Sequence, residues 1–145
     1  MTDSPDELAT RYAHAVDARD ESALRSLFAP GATVVVPATI TGGASDEVVT
    51  DVAWLLDGVR HFARTRHVVL ERQITVDGDT AHGETRGEAH PLYRRGEQWH
   101  DSAMGLRYRD RYVRGAGGWR FTRRELVLDW ARRDPTDEPD PGGHS

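Results

Sequence analysis

The chain has 145 residues, a net charge of -5 and no cysteine, and all 19 of its basic residues are arginine. Its length suits one domain, and its acidic balance leaves no basic surplus to neutralise nucleic-acid phosphates. Without cysteine or lysine, the protein has no disulfide, thiolate ligand, cysteine nucleophile or Schiff base. The sequence also lacks the long apolar run of a membrane span and the layout of a secretory signal. We therefore expect a cytoplasmic domain with no nucleic-acid or membrane partner.

Capping signals predict three helices in the first half of the chain. Residues 4–7 (SPDE) combine an N-cap serine, a proline at the first helical position and a glutamate three residues after the cap. Apolar residues then recur at helical spacing over 8–16, and Asp20 is a candidate cap for a short helix over 21–28. A longer apolar stripe predicts a third helix from about 46 to 63.

The second half of the chain changes to the two-residue period that is typical of strands. Strands are expected over 32–36, 68–76, 79–91, 102–114 and 119–130, with a hairpin turn at Asp77-Gly78. This order of elements predicts an α+β cone for residues 1–130, in which three helices pack on a curved, mostly antiparallel sheet and leave a cavity between them. Residues 131–145 offer almost nothing to bury and are expected to form a disordered tail.

Several segments resemble the SnoaL-like branch of the nuclear transport factor 2-like superfamily. They are 12–20 (YAHAVDARD), 65–67 (TRH), 76–81 (VDGDTA), 108–112 (YRDRY) and 118–121 (GWRF). The resemblance implies the same cone fold, often paired as a dimer through the outer face of the sheet, so we expect a homodimer or a higher homo-oligomer. The superfamily includes scytalone dehydratase and ketosteroid isomerase as well as non-catalytic subunits, so fold alone leaves the reaction open.

His67 and His90 are the leading candidates for chemistry. A two-residue turn at Asp77-Gly78 would set His67 opposite Glu88, and His90 would then share a face with both. Two histidines with an intervening carboxylate would make a proton-transfer cluster. The alternative is that this polar face is wet and both histidines are ordinary surface residues. A β-bulge in either strand would also change their relative orientation.

The resemblance adds further candidates around these histidines. His67 and His90 match the two histidines of dehydratase-like members, and Asp17 matches an active-site aspartate of the same group. Tyr12 and Tyr108 are candidate phenol donors. The remaining candidates for substrate binding are pocket-wall residues, Trp54 and Val36. Val36 stands where scytalone dehydratase has a pocket tyrosine, which places that enzyme's own substrate in doubt.

No motif points to a metal or a cofactor. The chain has no HExxH motif among its seven histidines, and it has neither a glycine-rich dinucleotide fingerprint nor a phosphate-binding loop. The sequence therefore predicts a cofactor-free acid/base enzyme acting on a small apolar metabolite of polyketide, aromatic or steroid-like type, with dehydration as the leading reaction. Isomerisation or aldol-type cyclisation starts from the same enolate and stays open. A small-ligand-binding module or a structural subunit is the non-catalytic alternative.

Overall fold

Residues 3–139 are described by the structure, a computed structural model, and they form helices packed on one sheet. The helices are α1 (Leu8–Ala18), α2 (Glu21–Arg25), α3 (Ala38–Thr41) and α4 (Val52–Val59), and a 3-10 turn over Pro5–Glu7 precedes α1. The strands are β1 (Phe28–Val36), β2 (Glu47–Val49), β3 (Arg64–Asp77), β4 (Thr80–Arg95), β5 (Gln98–Gly115) and β6 (Gly118–Thr136).

The sheet is curved and open. Its six strands lie in the order β2-β1-β6-β5-β4-β3, and every neighbouring pair is antiparallel except β1 and β6, which run parallel. The strands β2 and β3 form its two edges, so the sheet does not close into a barrel. The predicted α+β fold with a curved, mostly antiparallel sheet is confirmed. Among the helices of residues 3–139, none is both long and apolar enough to cross a membrane.

Helix α1 covers the inner face of the sheet. The predicted cap, Ser4, lies at the start of the 3-10 turn that precedes α1, where its Oγ accepts a hydrogen bond from the backbone N–H of Asp6 at 3.2 Å. Leu8, Tyr12 and Val16 are all buried and belong to the same apolar cluster as Phe121 of β6. Burial of such side chains contributes about 1.5–3 kcal/mol each. This packing holds α1 against β3, so the end of the helix meets the start of that strand.

The prediction of one long helix over 46–63 is wrong at both ends, because α4 spans Val52–Val59. Residues Glu47–Val49 form β2, which pairs with β1, and Val49 is buried against it. Asp51 then accepts a hydrogen bond from the N–H of Ala53 at 3.0 Å and so caps α4. β-Branched residues such as Val48 and Val49 are compatible with a strand as well as with the apolar stripe of a helix. Here the hydrogen bonds to β1 favour the strand.

Other boundaries differ from the predicted ones. The second helix ends at Arg25 instead of 28, because the chain turns directly into β1 at Phe28, and the short α3 was not predicted. Strand β6 runs on to Thr136, where it still pairs with β5, so residues 131–136 are not the disordered tail that their polarity predicted. Ladder hydrogen bonds, not apolar burial, hold this part of the strand. Residues 140–145 lie outside the described part of the chain.

The β3–β4 hairpin contains a bulge that decides where side chains point. Its turn lies one residue later than predicted, so that Val76 pairs with Ala81. From Glu71 to Asp77, the partner of each β3 residue is therefore two positions further along β4 than predicted, and a shift of two positions leaves these side chains on their predicted faces. The register then slips by one residue between Val69 and Glu71, and beyond that point His67 pairs with Ala89. The slip moves the side chains of β3 to the opposite face relative to those of β4.

Candidate active site

A cavity of about 440 Å³ lies between the inner face of the sheet and helices α1, α3 and α4. Most of its wall is aliphatic or aromatic. Its polar lining residues are Tyr12, Thr41, His67, Ser102 and Tyr108. Within the described part of the chain, no arginine, aspartate or glutamate lines this cavity, so its lining suits an uncharged ligand.

The predicted binding residues all line this cavity. Tyr12 enters it from α1, Val36 from the end of β1, Trp54 from α4 and Tyr108 from β5. Trp54 is 42% exposed, which places its ring at the rim and not in the interior. These four residues come from elements that are distant in sequence, and the curved sheet brings them together.

His67 and Asp17 form a hydrogen-bonded pair at one side of the cavity. His67 Nδ1 lies 2.6 Å from Asp17 Oδ1, and their side chains are only 13% and 14% exposed. A carboxylate accepts and does not donate, so the bond assigns the ring proton to Nδ1. No other described side chain forms a hydrogen bond with Nε2, and its lone pair is the basic site that the ring offers to the cavity.

Asp17 is held by donors from the start of β3. It accepts hydrogen bonds from the backbone N–H of His67 at 2.8 Å and from the hydroxyl of Thr65 at 3.1 Å. Thr65 is 2% exposed. The carboxylate therefore has a single orientation relative to the imidazole, which in turn fixes the plane of the ring. Sequence reasoning missed Thr65, although its position two residues before His67 puts both side chains on the same face of β3.

His90 lies on the opposite face of the sheet, so the prediction that it shares a face with His67 is wrong. It pairs with Arg66, whereas His67 pairs with Ala89, and the bulge in β3 is the physical cause. His90 does not line the cavity. Both of its ring nitrogens are occupied, with Nδ1 at 2.8 Å from Asp101 and Nε2 at 2.9 Å from Glu88. We refer to Glu88, His90 and Asp101 as the outer triad.

Tyr12 and Tyr108 bring two phenols to the cavity. Their rings meet edge to face with centroids 6.1 Å apart, and the guanidinium of Arg124 lies 4.4 Å from the Tyr12 ring and 3.9 Å from the Tyr108 ring. Burial raises the pKa of both phenols, and for Tyr108 the neighbouring Tyr12 adds to this effect. Both hydroxyls therefore stay protonated and are available as hydrogen-bond donors.

Arg124 stands behind these tyrosines as a buried ion pair. It is 1% exposed, and its Nε donates to Asp110 at 2.9 Å. Burial alone would lower the pKa of Arg124, but the charge and hydrogen bond of Asp110 together with the neighbouring Tyr108 and Tyr12 more than offset this, so the pKa is raised. The pair supports the tyrosines from outside the cavity, since neither Arg124 nor Asp110 lines it.

Metal-ligating groups do not gather elsewhere in the described residues. Across 3–139, no set of three or more histidine, cysteine, aspartate or glutamate side chains is arranged to hold a metal ion. In the outer triad, each nitrogen of His90 is already bonded to a carboxylate. The chemistry that the cavity offers is therefore that of one basic imidazole and two neutral phenols.

Together, the fold and the cavity define an α+β cone protein with a histidine–aspartate pair beside an apolar pocket. The chain belongs to the SnoaL-like domain family, whose model matches residues 6–125. This match confirms the resemblance inferred from the sequence.

The chain is also similar to a curated relative and to solved structures. An uncharacterized protein of Mycobacterium tuberculosis (strain ATCC 25618 / H37Rv), Rv2910c, is 30% identical over 118 residues, which cover 81% of this chain and 78% of the relative. The structure of hexachlorocyclohexane dehydrochlorinase LinA-type3 from Novosphingobium barchaimii LL02 is similar with a TM-score of 0.74 and 18% identity, covering 94% of this chain and 91% of that one. Kfla4162 from Kribbella flavida gives a TM-score of 0.72 at 21% identity, covering 88% and 89%. At these identities the two structures show the fold.

Proposed function

We propose that this protein is an enzyme in which His67, oriented by Asp17, removes a proton next to a carbonyl group of a small, uncharged and mostly apolar molecule. The observation that carries the proposal is the 2.6 Å bond between His67 Nδ1 and Asp17, which leaves Nε2 as a base at the cavity. A carboxylate partner keeps the imidazole in the reactive tautomer and stabilises the imidazolium that forms.

The tyrosines would stabilise the negative charge that develops on the carbonyl oxygen. Tyr12 and Tyr108 reach the cavity as neutral donors, because burial raises the pKa of both. Donors fixed in advance in an apolar site stabilise an enolate more than water does, since they need no reorganisation during the reaction. A substrate with a ring system and one carbonyl would satisfy both the apolar wall and this polar end.

Dehydration is the reaction that the site suits best. The C–H bond next to the carbonyl breaks and its proton passes to Nε2, while the electron pair forms the new double bond and expels a β-hydroxyl group. The imidazolium of His67 then returns the same proton to the leaving oxygen, which departs as water. One imidazole therefore serves as base and acid, and the balance requires no cofactor or co-reactant. The LinA-type3 structure supports this choice, because its name describes an elimination, the loss of hydrogen chloride.

Isomerisation and cyclisation share the first step and differ in the fate of the enolate. If the substrate lacks a β-hydroxyl group, the enolate can take the proton back at another carbon or attack an internal carbonyl. A non-catalytic role in ligand binding is the alternative that the apolar lining also favours. It predicts that a bound molecule is recovered unchanged.

A β-hydroxy ketone of suitable shape tests the proposal directly. 3-Hydroxy-1-tetralone loses water to give a product that tautomerises to fluorescent 1-naphthol, so turnover is followed by fluorescence. Exchange of the C2 hydrogens of 1-tetralone in deuterated water, followed by NMR, tests proton removal without elimination. We expect the protein to catalyse both. A protein that binds both ketones but changes neither would contradict the proposal and favour the binding role.

We also propose that the protein assembles as a homo-oligomer through the outer face of the sheet. Trp130 is 40% exposed there and its indole covers Gly105, where a Cβ atom would clash with the ring. An exposed indole on a sheet face is a common interface anchor. Light scattering after size-exclusion chromatography is expected to give a multiple of 16.2 kDa. A monomer across the micromolar range would contradict this.

A further inference from the structure

Arg19 has an unusual backbone at the end of α1. Its φ and ψ of 54° and 40° are left-handed, and it is the one non-glycine residue with positive φ among residues 3–139. Helices often end on such a residue, but it is usually glycine, because a Cβ atom makes this conformation unfavourable. An arginine at this position suggests that its side chain has a role that offsets the strain.

The side chain of Arg19 connects α1 to the wall of the cavity. Its Nη2 donates to the carbonyl oxygens of Val59 and Phe62, each at 3.1 Å. Val59 is the last residue of α4, and both residues line the cavity. The Val59 carbonyl also accepts a hydrogen bond from the Phe62 N–H at 3.1 Å, so the guanidinium fork adds a second bond to this oxygen and one to the Phe62 carbonyl. These bonds tie the turn that follows α4 to the end of α1.

The same guanidinium reaches the residues that hold Asp17. Its Nη1 donates to the backbone oxygen of Asp17 at 3.2 Å and lies 3.5 Å from the hydroxyl of Thr65. Arginine only donates, so the oxygen of Thr65 can only accept from it. The single hydroxyl proton of Thr65 is thereby left for Asp17 Oδ1, at 3.1 Å.

We infer that Arg19 is a positioning residue for the Asp17–His67 pair. It orients the hydroxyl of Thr65 and holds the Val59–Phe62 wall at a fixed place relative to the imidazole, without touching the substrate. The four oxygen atoms it contacts are all uncharged, so its effect is geometric and not that of an ion pair. This role rests on the proposed function, since an imidazole must be held in place only if it acts on a ligand.

The test compares Arg19→Gly with Arg19→Lys and with the control Arg11→Ala. Glycine relieves the backbone strain while removing the fork, and lysine keeps the charge without the fork. Arg11 is an exposed arginine of the same helix, and its ion-pair partner among residues 3–139 is Glu7 at 3.8 Å. Three properties are measured: the melting temperature, the hydrogen exchange of the His67 backbone amide by NMR, and the kinetics with 3-hydroxy-1-tetralone.

For Arg19→Gly we expect a melting temperature within a few degrees of the unmodified protein. The His67 amide, which donates to Asp17, should exchange about 10-fold faster, while the amides in the middle of α1 keep their rates. Because a small misplacement of a catalytic group is costly, kcat should fall about 10- to 100-fold with little change in KM. The His67 exchange rate and kcat of Arg19→Lys should lie between those of Arg19→Gly and the unmodified protein, and those of Arg11→Ala should match the unmodified protein.

The inference is overturned if the His67 amide exchanges at the same rate in Arg19→Gly as in Arg11→Ala. Faster exchange along the whole of α1 would also overturn it, because it would reveal a general structural role. If Arg19→Gly does not fold, Arg19→Lys is judged by the same criteria. Selective loosening of His67 in a protein that never converts the ketone would refute the proposed function and leave the positioning role standing.

Discussion

The two faces of the β3–β4 hairpin each carry a histidine bonded to carboxylate, yet the two sites differ in chemistry. Burial does not separate them, since the side chains of His67 and His90 are 13% and 14% exposed. The difference lies in the second ring nitrogen. Nε2 of His67 is left for the cavity, whereas Nε2 of His90 is bonded to Glu88. A histidine with one carboxylate is a base held in place, while a histidine between two carboxylates is a cross-link.

Substitution of each histidine in turn should separate the two faces most clearly. His67→Gln removes the base, and we expect the rate of 1-naphthol formation to fall about 10²- to 10⁴-fold. His90→Gln, the matched control on the other face, should change the rate less than about threefold, since the residue does not line the cavity. Equal losses in the two variants would show that the outer triad takes part in turnover.

The partner of His67 can be altered without changing its size. In Asp17→Asn the amide can donate to Nδ1, which favours the tautomer with its proton on Nε2 and removes the base from the cavity. We expect kcat to fall about 10²- to 10⁴-fold, as for a triad aspartate changed to asparagine, with little change in the affinity for 1-tetralone. Asp101→Asn, the equivalent change on the outer face, should leave kcat unaltered. An Asp17→Asn variant with full activity would mean that the aspartate does not direct the proton.

The outer triad should matter for stability instead. His90→Gln leaves Glu88 and Asp101 as neighbouring carboxylates without their shared partner, so we expect unfolding to become easier by about 1.5–3 kcal/mol. Urea denaturation followed by circular dichroism measures this. Glu71→Gln, which removes one partner of an exposed ion pair with Arg86, should cost less than about 1 kcal/mol. If His90→Gln has the same free energy of unfolding as the unmodified protein, the outer triad does not contribute to stability.

The smallest expected effect concerns pH and the phenols of the inner face. Burial raises the pKa of Tyr12 and Tyr108 above the unfolded value of about 10, so the folded protein binds these protons more tightly than the unfolded chain. This stability is fully present below pH 10 and is lost as the pH rises from there through the folded pKa values. Urea unfolding in steps above pH 9 should show the decrease, and Tyr108→Phe should reduce its slope. An unchanged slope would mean that Tyr108 ionises at its ordinary pH.

Much of the fold could be predicted because local and tertiary preferences agree. The cap at Ser4 and the alternating strands need no partner to be recognised, and Asp17 and His67 were both identified with help from the family pattern. Residues 46–63 could not be assigned correctly, because an apolar stripe is equally compatible with a strand until β1 supplies hydrogen bonds to it. The roles of Thr65 and Arg19 depend on contacts between residues that are 40 to 48 positions apart, which spacing alone does not reveal.

His90 shows the limit most sharply. Glu88 was identified as its neighbour, but Asp101 was not, and the predicted register was wrong. A bulge responds to the twist and curvature of the whole sheet, so no signal within 64–77 announces its position. The face on which a side chain lies is therefore the least predictable property of a long strand, although it decides which side chains reach the cavity.

The extra residue of β3, next to Val69, makes this strand sensitive to the deletion of a single residue during evolution. Substitutions alter one side chain at a time, but the loss of a single codon at this point would rotate the start of β3 and exchange its two faces together. Alignments of such proteins need a gap in the middle of a strand, where gaps are normally penalised most heavily. Two histidines that are aligned in such a strand without a gap can consequently lie on opposite faces of the sheet in the two proteins.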